Sequence, residues 1–274
     1  MFTTPNAVSL SSPRASLLTL GFVAALVTLS CASGGPRAEG PLDAPSALPL
    51  ERTCPGGTVT TRAELTAFEG CTKVLGDLKV ASSDFTHLRQ LAELTSVSGS
   101  LEVSNNCQLR SLSGLERLRH ASSLRLLDNP RLASLRALGS LVHLEHLEVV
   151  RAPLLRSSRG LEGLTKLKSL TLNETGLARV AGLAHVARIE RIEIGDNPYL
   201  ISLAPLGNVR RVARLEVYKN RWLNGSPREF FPELTHTNYA RIEGNVAFSP
   251  SERERAQGLA PRPSLPSHGL LAKN

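Results

Sequence analysis

Pairs of apolar residues in the form L-x-V recur along the chain. They fall at Leu78/Val80, Leu101/Val103, Leu124/Leu126, Leu147/Val149, Leu170/Leu172, Ile192/Ile194 and Leu215/Val217, with steps of 23, 23, 23, 23, 22 and 23 residues between first members. A weaker eighth pair follows at Ala240/Ile242. Five residues after the first member stands an asparagine in most turns (Asn106, Asn129, Asn197, Asn220 and Asn245), with Ala152 and Thr175 breaking the series in the middle. Three residues later a leucine returns, at Leu109, Leu132, Leu155, Leu200 and Leu223, with Leu177 one place early in the 22-residue turn. Strict alternation predicts a short strand with one face buried and one exposed. The asparagine marks the turn out of that strand, where its amide can bond backbone of its own and the neighbouring turn. Stacked asparagines then form a ladder that satisfies turn backbone otherwise buried without partners. Further leucines three apart on the return path, such as Leu115 and Leu118, predict a helical or 3₁₀ turn.

One such unit cannot bury its apolar face alone, so the units must stack. The pattern therefore predicts an α/β fold: a right-handed solenoid with a parallel sheet on one face and short helical or irregular return segments. Eight strands at the usual spacing would make a sheet roughly 35–40 Å wide.

The motif L-x-x-L-x-V-x-x-N, as in LRLLDNPRL and IEIGDNPYL, resembles the leucine-rich repeat. The stretch CTKVLGDLKV followed by LAELTSVSGSLEVSNNCQLRSLSGLERL is similar, more specifically, to the receptor L-domain of growth-factor and insulin receptor ectodomains. The resemblance covers about residues 54–245 and implies a sheet face presented to a ligand. The chain lacks a second such domain, a cysteine-rich module and a signalling segment, so receptor signalling does not carry over.

Strand alternation then selects the residues of a concave binding face. Between the anchors lie Lys79, Glu102, Arg125, Glu148, Thr171, Glu193, Glu216 and Arg241; two positions on lie Ala81, Ser104, Leu127, Val150, Asn173, Gly195, Tyr218 and Glu243. Glu102, Arg125, Leu127, Glu148, Val150, Glu193, Glu216 and Tyr218 mix acidic, aliphatic and aromatic character, as a protein- or glycan-binding patch does. The neighbours Glu193 and Glu216 should repel each other unless they serve something. A solvated face with scattered apolar residues is the alternative reading.

Composition changes this picture in three ways. Residues 1–31 read as a signal peptide: Arg14 precedes the apolar run Ala15–Leu29, which is too short for a comfortable membrane span. Cys31, between Ser30 and Ala32, resembles the lipidated cysteine of bacterial lipoproteins, although Thr28 stands where that family usually has leucine. Ordinary cleavage after Ser30-Cys31-Ala32, giving a soluble secreted protein, is the alternative. Lipidation implies a cell-envelope protein anchored in a membrane, the outer one before the inner. Second, Cys54 and Cys71 bracket a short segment before the first repeat, where a disulfide would close an exposed end and stabilise it by about 3 kcal/mol. They also sit where the receptor L-domain closes its N-terminal end. Cys107 is then left as a free, half-buried turn residue. Third, the net charge is +8, falling to +7 once Arg14 leaves. That balance favours anionic polymers or membrane surfaces, with nucleic acid excluded by export and by the lack of any recognisable motif.

No phosphate-cradling loop, nucleophile elbow or paired-carboxylate motif appears. His120 and His143 fall one repeat apart, which marks a structural column, and His143-x-x-His146 lacks the further ligands of a metal site. The Arg210, Arg211 and Arg214 cluster reads as a solvated outer edge. The sequence thus implies a signal peptide over 1–31, a flexible tether over 32–53, a solenoid over 54–245 and a disordered tail over 246–274. It predicts a non-enzymatic protein without metal or cofactor that binds a protein or glycan. A structural spacer of the envelope without a selective ligand is the alternative.

Overall fold

A computed structural model of the chain describes residues 51–245, apart from 82–84, 224 and 226. The leader with Cys31, most of the tether and the C-terminal tail lie outside the described residues. Nine strands follow one another in chain order across a single parallel sheet. They are β1 (Thr53–Val59), β2 (Lys73–Val80), β3 (Ser96–Ser104), β4 (His120–Leu127), β5 (His146–Ala152), β6 (Lys166–Thr175), β7 (Arg188–Gly195), β8 (Arg211–Tyr218) and β9 (His236–Glu243). The register stacks Leu78, Leu101, Leu124, Leu147, Leu170, Ile192 and Leu215 as direct neighbours. Every one of these anchors is buried, so the repeat of the sequence is the repeat of the core.

Nine strands stand where eight were expected. The additional one, β1, has no L-x-V pair; its Pro55-Gly56-Gly57 stretch suits only a strand at the rim of a sheet, where a missing N–H is harmless. It is held in place by the Cys54–Cys71 disulfide, with the two Cα atoms 6.0 Å apart. Helix α1 (Arg62–Thr66) closes the same end. There the Thr61 hydroxyl accepts from the Glu64 N–H at 3.2 Å and the Glu64 carboxylate accepts from the Thr61 N–H at 3.1 Å, a capping box that fixes a helix too short to persist alone. Leu65 drops from this helix into the core. The fold also starts earlier than expected: Lys73 pairs with Glu51 at 2.6 Å and the Arg52 guanidinium donates to the Glu69 carbonyl.

Return segments are mostly irregular. Single 3₁₀ turns occur at Arg89–Leu91, Arg136–Leu138, Ala181–Leu183 and Ala204–Leu206, each burying its last leucine. The strands are also longer at their starts than the L-x-V pairs suggest. In β2 and β3, Lys73 and Val74 pair with Ser96 and Val97, the ladder then breaks, and pairing resumes at Leu78 and Leu101. This leading segment, here called the arm, adds a second inward row of Val74, Val97, Ala121, Leu144, Leu167, Ile189 and Val212.

The asparagine ladder is present and fully buried. The Asn106 amide donates to the carbonyls of Val80 and Ser104 and to Asn129 Oδ1, at 3.3, 2.9 and 3.1 Å. Asn197 and Asn220 repeat the arrangement, ending on Asn245. Ala152 interrupts it, and Thr175 resumes it by donating its hydroxyl to Asn197 Oδ1 at 2.6 Å. The residue before each rung is in the left-handed region: Asn105, Asp128, Arg151, Glu174, Asp196 and Lys219 have φ between 52 and 57°. Only asparagine and aspartate among these adopt it readily, so at Arg151, Glu174 and Lys219 the turn is imposed on the residue. Cys107 is free but exposed, a correction to the half-buried position expected of it. It follows the rung Asn106 in the column of Pro130, Pro153 and Pro198, where the turn points side chains outward.

Candidate functional site

All eight predicted face residues lie together on the sheet. Pairing aligns Lys79, Glu102, Arg125, Glu148, Thr171, Glu193, Glu216 and Arg241 in one row, each beside the next. A second row runs through Ser104, Leu127, Val150, Asn173, Gly195, Tyr218 and Glu243. Leu127 and Val150 are neighbours in it, both half-buried. A third row was missed in the sequence: Ser123, His146, Ser169, Arg191, Arg214 and Tyr239. Alternation could have found it, since the residue before an L-x-V anchor faces the same way as the residue after it.

The first row differs between its two halves. Toward the N-terminal end, charges alternate in sign and bind one another. Glu102 takes Lys79 at 2.9 Å and Arg125 at 2.9 Å, and Arg125 reaches Glu148 at 2.8 Å. Burial pushes the Glu102 carboxyl up, but hydrogen bonds from Lys79 and Ser104 and the Arg125 charge outweigh it and hold the pKa below the usual range. The Glu148 carboxylate, assisted by Glu102, raises Arg125 above its ordinary value. This half is self-neutralised and has few unmet demands.

Toward the C-terminal end the acids are held differently. Glu193 Oε1 accepts from the Tyr218 hydroxyl at 3.0 Å and from the Asn173 amide at 2.9 Å. Glu216 is nearly buried and pairs with Arg214, with Arg241 at 3.8 Å on its other side. The repulsion expected between Glu193 and Glu216 is thereby relieved, each carboxylate having its own partners. The pairing also moves Arg214 from the supposed outer edge onto the face. Tyr218 lies flat because position 195 is glycine: a Cβ there would run into the Tyr218 ring. Burial, then the Glu193 carboxylate, pushes the Tyr218 hydroxyl up to about 12. Arg241 stands over the Tyr218 ring at 5.4 Å and Arg214 over the Tyr239 ring at 4.8 Å. Two tyrosines flanked by arginines and carboxylates, on a rigid sheet, form an anchor cluster of the kind that dominates binding energy at interfaces.

Among the described residues no group of three or more His, Cys, Asp or Glu side chains could hold a metal ion. His120 and His143 are stacked, with ring centroids 4.8 Å apart, and lie on the arm, away from these rows. Among the described residues no helix is long and apolar enough to cross a membrane.

Residues 70–153 match the family model of the receptor L domain. That stretch runs from the disulfide through the end of β5. No curated protein matches the sequence. Among solved structures the chain is similar to an internalin from Listeria monocytogenes, at 12% identity over 74% of this chain and 76% of that chain, with a TM-score of 0.33. Nine parallel strands and the buried asparagine ladder make the fold a leucine-rich-repeat-type solenoid, and residues 70–153 of it are similar to the receptor L domain.

Proposed function

We propose that the protein is a non-enzymatic cell-envelope lipoprotein that recognises a protein or glycan through the main sheet face, with Cys31 as its lipid site. The observation that carries this reading is the built cluster around Tyr218. Gly195 leaves space for the ring, Glu193 fixes its hydroxyl, and Arg241 covers its face. A face with no ligand has no need of an aromatic ring held at an angle set by two neighbouring strands.

Capture from envelope and extracellular material tests the recognition. The full chain should retain a partner that a Tyr218→Ala, Glu193→Lys variant loses. Equal capture by both would move the site off this face. Lipidation is tested separately by intact mass: an acylated N-terminus at Cys31 is expected, and an unmodified mature chain beginning after Ala32 would refute the anchor.

A further inference from the structure

The arm carries a row that the main face does not prepare one for. At the first position of the arm stand Lys73, Ser96, His120, His143, Lys166, Arg188, Arg211 and His236. Strand pairing makes Lys73 and Ser96, Ser96 and His120, His120 and His143, Lys166 and Arg188, and Arg211 and His236 direct neighbours. The offset of 23 that pairs β7 with β8 places Arg188 beside Arg211. Seven of the eight side chains are basic, and no acid interrupts the row. Lys73 is paired with Glu51, but among the described residues no carboxylate lies within ion-pair distance of Lys166, Arg188 or Arg211, all of them exposed.

Like charges on adjacent strands are destabilising. The main face shows that this same sheet can neutralise a row by alternating sign, so an unneutralised row is not a general property of the fold. It also has a shape. From Lys73 to Arg188 the row borders a furrow of about 720 Å³ that crosses six strands, about 24 Å at the usual strand spacing. The furrow runs across the strands, as a linear polymer would lie, and the basic row follows one side of it; Glu145, paired with Lys168 at 2.8 Å, and Glu190 stand on the adjacent row, leaving an excess of cations in the lining.

We propose that this furrow binds an acidic polysaccharide, with Lys166 and Arg188 in its lining, and Arg211 just beyond its end in the same row, pairing the polymer's carboxylates or phosphates. Polymers of acidic sugars carry charge at a spacing of the same order as that between strands, so successive rungs meet successive charges. The Ser96 and Thr165 hydroxyls and the stacked His120 and His143 add hydrogen-bonding groups suited to sugar hydroxyls, and the exposed Leu75 and Val142 offer apolar contact to ring faces. Single-stranded nucleic acid fits less well, because no Phe, Tyr or Trp lines the furrow to stack a base. A bilayer fits less well too, since its flat surface does not enter a recess. The inference uses different residues from those of the main-face reading and stands or falls apart from it.

Fluorescence anisotropy with a labelled oligogalacturonate of about a dozen sugars tests it, using the full chain at low salt. The full chain should bind, with affinity falling as salt rises. Lys166→Glu, Arg188→Glu and Arg211→Glu together should weaken binding at least about tenfold. Should that variant melt early, the glutamine triple variant at the same positions should still bind more weakly than the parent. Reversing Arg89, Arg131 and Arg136, exposed arginines outside the furrow, should leave binding unchanged. The proposal is overturned by an absence of binding, or by an equal loss in the two reversed variants. It is also overturned if a thymidine oligonucleotide of equal charge binds more tightly than the sugar, or if phosphatidylglycerol vesicles do so in a way the furrow variant loses.

Discussion

On the main face, Lys79, Glu102, Arg125 and Glu148 alternate in sign along four strands and bind one another. On the arm of the same sheet, Lys166, Arg188 and Arg211 line up with one sign and no acid between them. Both rows are built by one repeat on the same strands, although between β3 and β4 the pairing shifts by one residue from arm to main face. The difference in charge pattern lies in the side chains. The alternating row lowers the energy of the sheet, whereas adjacent like charges in the uniform row raise it. Between these extremes lies the Tyr218 cluster, whose charges are satisfied internally but whose rings and arginines are set out on the surface.

The largest effect is expected where both rows hang from a common support. Asn220→Ala removes amide bonds to the carbonyls of Ile194 and Tyr218 and leaves the Asn197 donors without their acceptor. Loss of that many buried partners should cost about 3–5 kcal/mol in chemical denaturation. Hydrogen exchange should rise at residues 215–220, next to the Tyr218 cluster, before it rises on the arm at 211–213. Simultaneous loss of both would mean that the two faces are mechanically one.

Arg125→Ala should come next, at about 1–2 kcal/mol, because it leaves Glu102 and Glu148 facing each other across an empty position. The same substitution logic on the arm should have the opposite sign. Lys166→Gln with Arg188→Gln relieves repulsion and should stabilise the protein by about 0.2–1 kcal/mol at low salt, with the gain fading as salt is added. Destabilisation by the arm pair would show that these cations already have partners within the fold.

The smallest effect concerns pH. Burial, then the charges of His143 and Arg119, holds the His120 imidazole below its ordinary pKa. The folded state thus binds fewer protons than the unfolded one, so the contribution is present above the unfolded pKa of about 6.5 and is lost as pH falls below it. Melting between pH 7.5 and 5.5 should show a slight fall in Tm that is absent in His120→Asn.

Much of this architecture was legible in the sequence, for a physical reason. Each turn of a solenoid repeats one set of core slots, so the leucine columns and the buried Asn106, Asn129, Asn197, Asn220 and Asn245 announce themselves by period. The disulfide was legible because Cys54 and Cys71 stand just before the first repeat, at an end of the stack that has no neighbour to cover it. The strand β1 was not, because an edge strand held by a disulfide and a cap needs no repeat pattern. The arm was obscured by weaker anchors: Ala121 and Thr237 share a column with Val74 and Ile189, which blurs the period. His120 and His143 were correctly placed in one column, but its other members, Lys166, Arg188 and Arg211, come into line only through strand pairing. On the main face, Glu193 and Glu216 were located correctly. Their relief by Tyr218, Asn173, Arg214 and Arg241 depends on contacts across strands and could not be read from spacing.

The most direct test of the account runs three proteins side by side in capture from envelope and extracellular material. These are the full chain, the Tyr218→Ala, Glu193→Lys variant, and the variant with Lys166, Arg188 and Arg211 reversed to glutamate. The account predicts a protein or glycan partner retained by the first and third and lost by the second. A protein or neutral-glycan partner kept by the Tyr218 variant would contradict it; an acidic polysaccharide lost only from the arm variant is the separate ligand expected of the furrow.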